Sequence, residues 1–136
     1  MKNLLYLVLM FLVTSCGSTI VFPVSDIEPA AEINARIKKD KQNNYVISLS
    51  ANYLASPDRL VPAKKVYVAW LVSKESGTNN IGQLMIKNAK KATLEILTPF
   101  EPAELFITAE DEGNISTPEG VEITHVYLNA KDIDNK

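Results

Sequence analysis

The sequence predicts an all-β fold: an antiparallel β-sandwich of about seven strands. Three observations predict it. From Ala31 onward the dominant hydrophobic period is two, the signature of strands with one buried and one wet face. Turn signals recur every ten or so residues, as in sandwiches. No stretch carries a convincing long helical period.

The elements follow in order. Ala31, Ile33, Ala35 and Ile37 alternate with Glu32, Asn34, Arg36 and Lys38. Asp40 to Asn44 is a polar turn, where Asn43 and Asn44 tolerate left-handed geometry. Tyr45, Ile47, Leu49, Ala51 and Tyr53 then share one face, so the two strands are expected to pair as a long hairpin with both tyrosines at the core or its edge. Ala55 to Ala63 is a loop punctuated by Pro57 and Pro62. Val66 to Val72 is apolar on both faces and reads as a central strand. After a polar turn at Lys74 to Asn80, Ile81 to Ile86 is a short strand in which Gly82 marks a bulge or a close backbone approach. Ala92, Leu94 and Ile96 form the inner row of another strand, although Lys87 to Leu94 could instead make a short helix. Leu105 and Ile107 point inward from the next strand, and Glu110 to Gly120 is a long acidic loop. Val121 to Leu128 closes the domain, and a bulge near His125 would reconcile its broken alternation.

The amino terminus speaks to location. Lys2 precedes an apolar run from Leu4 to Val13, too short to span a bilayer but of the length of an export signal. Leu12-Val13-Thr14-Ser15-Cys16 resembles the lipobox of bacterial lipoproteins. That resemblance implies cleavage before Cys16 and a diacylglyceryl group, with palmitate as a typical acyl chain, on its thiol. It also accounts for the single cysteine, which has no disulfide partner in the chain; an ordinary secretory signal with a free thiol is the alternative. The chain then divides into a signal peptide (1–15), a lipidated tether (16–29), the sandwich (30–130) and a short tail (131–136). The mature part has about 120 residues, enough for one core without disulfides. Its formal charge is −3, without the basic surplus that nucleic-acid binding requires. Lys38-Lys39-Asp40-Lys41 and Lys64-Lys65 read as solvated turn ends rather than a phosphate or lipid-headgroup patch.

Within the strands, an ordered set of short motifs stands out: Tyr67-Val68-Ala69-Trp70-Leu71-Val72, Gly82-Gln83-Leu84, Phe106-Ile107-Thr108-Ala109-Glu110 and Pro118-Glu119-Gly120. The set resembles the extracytoplasmic C-terminal domain of anti-sigma-K factors over roughly residues 65–124. The resemblance implies an immunoglobulin-like sandwich. The sigma-binding region and transmembrane helix of that family have no counterpart here, so it implies a free-standing relative of the sensor domain, like small lipoproteins of Bacteroidota-like bacteria. Gly17-Ser18 lacks the aspartate that retains enterobacterial lipoproteins in the inner membrane. By that analogy the expected location is the outer membrane of the cell envelope, facing the periplasm.

Catalytic chemistry is not written in the remaining residues, and no enzyme activity is expected. Trp70 is expected to fill the core between the sheets, with ligand stacking the alternative. His125 is the single histidine and is expected at the surface or a strand edge; metal sites built on histidine generally use more than one. Glu110, Asp111 and Glu112 could supply oxygen ligands to a hard cation, but they do not match EF-hand spacing and read first as a solvated loop. Tyr67 and Tyr127 are expected to be partly exposed. No cofactor is expected. The expected function is a non-catalytic, membrane-anchored interaction or sensing module whose partner is another envelope component, met through Ala55–Ala63 and Glu110–Gly120. A glycan- or divalent-cation-binding module is the alternative, and it requires an exposed aromatic beside carboxylates.

Overall fold

Two antiparallel sheets face each other across one apolar core. A computed structural model describes residues 18–88 and 90–133; the expected signal peptide at 1–15 and the expected lipidation site Cys16 lie outside the described residues. The first sheet has the order β1-β2-β3-β7-β6, from Ile20–Val21 (β1), Glu32–Lys39 (β2), Tyr45–Asn52 (β3), Lys91–Thr98 (β7) and Met85–Asn88 (β6). The second has the order β5-β4-β8-β9, from Gly77–Gln83 (β5), Val66–Ser73 (β4), Glu104–Glu110 (β8) and Val121–Tyr127 (β9). With β2, β3, β6 and β7 as strands A, B, D and E, and β4, β8 and β9 as C, F and G, this is the immunoglobulin arrangement of an ABED sheet on a CFG sheet. β5 adds a strand beside C, and β1 adds one beside A.

Period-two patterning builds the core. Ile33, Ala35 and Ile37 of β2 and Ile47, Leu49 and Ala51 of β3 meet Tyr67, Ala69 and Leu71 of β4 and Leu105, Ile107 and Ala109 of β8. Asn43 adopts φ 63° in the β2–β3 turn, where Asp40 accepts the backbone N–H of Gln42 at 2.8 Å and of Asn44 at 2.9 Å. These donors, that of Asn44 first, hold the Asp40 carboxyl below the usual aspartate value.

Four features refine or depart from expectation. The all-β sandwich is as expected, with nine strands among the described residues against an expected number of about seven. The segment expected as one strand at 81–86 divides at buried Leu84, where the chain crosses from the second sheet to the first. Ile81 is bulged out of the β4–β5 pairing, and Gly82 beside it takes φ 125°, which glycine adopts freely. Second, within the tether the Ile20-Val21-Phe22 stretch, which the sequence offers as a segment that docks on the body, does so as strand β1. Ile20 and Phe22 join the core, and the Phe22 N–H donates to the Ile33 carbonyl at 3.0 Å. Third, the bulge expected near His125 is there, at Ile123. Thr124 stands opposite Ile107 and Glu122 opposite Thr108, so Ile123 and Val126 can both face inward. Fourth, Tyr53 leaves the strand at φ 56° and is exposed rather than continuing the inner row of β3. A helical turn, α1 (Ala130–Ile133), spans the boundary between domain and tail, and Ile133 packs on the core.

Candidate functional site

The outer face of the second sheet carries a second apolar cluster. Its registers form rows across the strands. Asn80, Trp70, Phe106 and His125 stand side by side on β5, β4, β8 and β9. One row along are Val72, Glu104 and Tyr127, and on the other side Val68, Thr108 and Glu122. The rings stack in sequence: Trp70 on Phe106 (6.1 Å between centroids), Phe106 on His125 (5.0 Å) and His125 on Tyr127 (4.8 Å).

Trp70 is fully buried, but not between the sheets as expected. Tyr67, Ala69 and Leu71 take the inner face of β4, so alternation sends Val68 and Trp70 outward, where they cluster with Phe106. The loop after β8 covers that end of the row by laying Ile115 on the cluster. A chain of hydrogen bonds fastens it. Trp70 Nε1–H donates to Thr108 Oγ1 (2.8 Å), the Thr108 hydroxyl donates to Glu110 Oε1 (2.7 Å), and the Glu119 backbone N–H donates to the same oxygen (3.1 Å). Asn80 Nδ2 donates to the carbonyls of Gly113 and Ile115. Gly120 is required by close approach, because a Cβ there would overlap the Ala109 carbonyl oxygen.

The acidic run is divided by this arrangement. Glu110 is 2% exposed and turned into the network. Asp111 pairs with Lys64 at 3.1 Å, and Glu112 is exposed. Among the described residues, no group of three or more His, Cys, Asp and Glu side chains is placed to hold a metal ion.

The other end of the aromatic row is open. His125 lies on edge strand β9, with Nε2 2.7 Å from Glu104 Oε2 and Nδ1 3.3 Å from Glu122 Oε2. Tyr127 is 71% exposed beside it. Tyr67, by contrast, is buried rather than partly exposed; its hydroxyl donates to the Ala55 carbonyl at 2.7 Å, and burial pushes its pKa up, with Glu28 and Asp58 adding to the shift.

The two loops singled out in the sequence meet at one end of the sandwich. The Lys65 N–H donates to the Glu110 carbonyl (2.9 Å), and the Lys64–Asp111 pair bridges the same two segments. Between them lies an open groove of about 430 Å³ lined by Ile27, Leu60, Val61, Pro62, Glu119 and Val121, among others. Val61 is 99% exposed at its edge, and Ile27 and Val121 are also exposed. Ile27 comes from the segment read as a tether, so sequence reasoning missed its part here. Phe106 and Glu104 were also missed, although alternation against Leu105 and Ile107 places both on the outer face.

Among the described residues, no helix is long and apolar enough to cross a membrane. The motifs that carry the resemblance fall on the second sheet and its covering loop, except Leu84, which stands at the crossover to the first sheet. Compared with known proteins, the chain matches no family model, no curated protein and no solved structure.

Proposed function

We propose that this is a lipid-anchored protein of the bacterial envelope, attached through an acyl group on Cys16 and non-catalytic, whose sandwich docks an envelope partner at the groove between residues 55–63 and 110–120. One observation carries the reading: the chain begins to pack at one end of the sandwich, and the groove lies at the other. β1 runs antiparallel to β2, so the residues before Ile20 head toward the β2–β3 turn. The groove loops adjoin the opposite ends of the strands, because Glu32 pairs with Asn52 there. An eight-residue strand spans about 26 Å, so an anchor at the first end holds the groove clear of the bilayer. Anchoring raises the effective concentration toward anything on the same surface. An apolar floor with Lys64 and Glu119 at its rim suits a protein partner. The sensing aspect rests on the resemblance to the anti-sigma-K outer domain, and the location in the outer membrane rests on the residues after Cys16.

A photocrosslinking amino acid at Val61 in the native acylated chain tests this. The expected result is a discrete adduct from envelope fractions that is lost when the probe is moved to Arg36. Equal labelling from both positions, or none, overturns the groove. Cys16→Ser is expected to abolish vesicle flotation, and retained flotation overturns the anchor.

A second reading, a glycan-binding module, is favoured by the exposed Tyr127 ring stacked on His125, whose ring nitrogens face the Glu104 and Glu122 carboxylates. It expects Tyr127→Ala to abolish oligosaccharide binding in a glycan array. For a divalent cation the check is thermal: calcium raises Tm if it binds the folded chain and leaves Tm unchanged if it does not.

A further inference from the structure

The β2–β3 hairpin ends in Lys38, Lys39 and Lys41, all exposed. Among the described residues none of them pairs with a carboxylate; Lys39 Nζ stands 5.6 Å from the centre of the Tyr45 ring. The one acid at the tip, Asp40, is engaged by the turn's own N–H groups. On the adjoining outer face, Lys38 stands in register with Val46 and then Leu97, which is 62% exposed. Cations beside an exposed aliphatic side chain are the pairing that suits a headgroup layer. Of the acids at this end, Glu75 and Glu101 line a separate cavity on the side of the second sheet together with Lys74, and Asp132 lies on α1, which packs beside β2, where its carboxylate accepts the Asn129 N–H at 2.7 Å.

The chain's own path brings this tip to the anchor. Ile20 stands opposite Ala35 and Val21 opposite Asn34, so the strand extended backward runs toward Arg36 and the hairpin tip. Cys16 is two residues before Ser18, the first described residue, and therefore within about 7 Å of it. An acyl chain on Cys16 leaves too short a leash for the lysines to stand far from the membrane.

We propose that the β2–β3 hairpin is a second membrane contact, in which Lys38, Lys39 and Lys41 bind the phosphates of anionic phospholipid headgroups and so fix the sandwich upright on its lipid anchor. This rests on the anchoring at Cys16. Each lysine held near an anionic surface raises partitioning roughly five-fold, so the tip, at a net two charges, gains about 30-fold.

The test uses the native acylated chain. Cys16 is its only cysteine, so Gln42→Cys offers one free thiol for a spin label at the tip, and Glu112→Cys offers one at the far end. On phosphatidylethanolamine vesicles containing one-quarter phosphatidylglycerol, the tip label is expected at headgroup depth and the far label in water. On pure phosphatidylcholine, or in molar salt, the tip label is expected to return to water. Replacing the three lysines with glutamine should have the same effect while flotation persists. A tip label at the same depth on both vesicles, or one unmoved by the replacement, overturns the lysine contact and leaves the anchor standing. Loss of flotation by the unsubstituted acylated chain overturns the anchor and the hairpin contact together.

Discussion

The two faces of the second sheet are both apolar, yet they are closed in different ways. On the inner face Tyr67, Ala69 and Leu71 are covered by a whole second sheet. On the outer face Val68, Trp70 and Phe106 are covered at one end by a single loop, held through Glu110, Asn80 and Lys64. At the other end the row emerges as His125 and Tyr127. The inner face is a product of strand patterning alone. The outer one depends on polar groups that pin a loop, so it is where a partner or a mutation can act on the fold without entering the main core.

The comparison can be broken most sharply at Trp70. Trp70→Ala is expected to cost about 3–5 kcal/mol, as much as truncating the inner residue Leu71. Chemical denaturation of both variants measures it. A cost under about 1 kcal/mol would show that the outer cluster is decoration. Next is Glu110→Ala, which leaves the Thr108 hydroxyl and the Glu119 N–H without their acceptor. It is expected to cost about 1–3 kcal/mol and to speed hydrogen exchange at Glu119 before the main core exchanges. Unchanged exchange would mean that the carboxylate does not hold the loop.

Tyr127→Ala, at the open end, is expected to change stability by no more than about 0.5 kcal/mol, since its ring is mostly in water. A larger loss would make the row one structural unit to its tip. The smallest effect belongs to Asp40, which lies outside both clusters. Its folded pKa is depressed, so its contribution is present above the ordinary value of 3.8 and is lost as pH falls through the lower folded value. Asp40→Asn should therefore lower Tm slightly at neutral pH and flatten its acid-side decline, so that the two chains converge below the folded pKa.

Much of the first sheet was legible because its outer face is polar. Alternation in β2 and β3 gave the pairing, the turn and the inner rows down to Ala51. The second sheet was harder to read for a physical reason. β4 is buried on both faces, so composition could not tell which side of it faces the other sheet, and Trp70 was assigned to the wrong one. β5 reads as a polar turn because Asn79 and Asn80 donate to the turn and to the covering loop rather than packing in a core. β1 was hard to read because Pro23 follows it closely and because it is only two residues long. The groove was half legible: its two loops were named from proline and acidic signals, but their meeting through Lys64, Lys65 and Glu110 depends on long-range pairing that no local pattern carries.

The Tyr67 hydroxyl reaches from the interior to the Ala55 carbonyl, and the 3-10 turn at Pro57–Arg59 follows it directly. The groove wall is thus set by the folded body before anything arrives. Docking would then need no rearrangement of that wall. Complex formation should proceed at the rate of ordinary rigid protein encounters, about 10⁵–10⁷ M⁻¹s⁻¹, and differences in affinity between competing partners should show up as how long each stays.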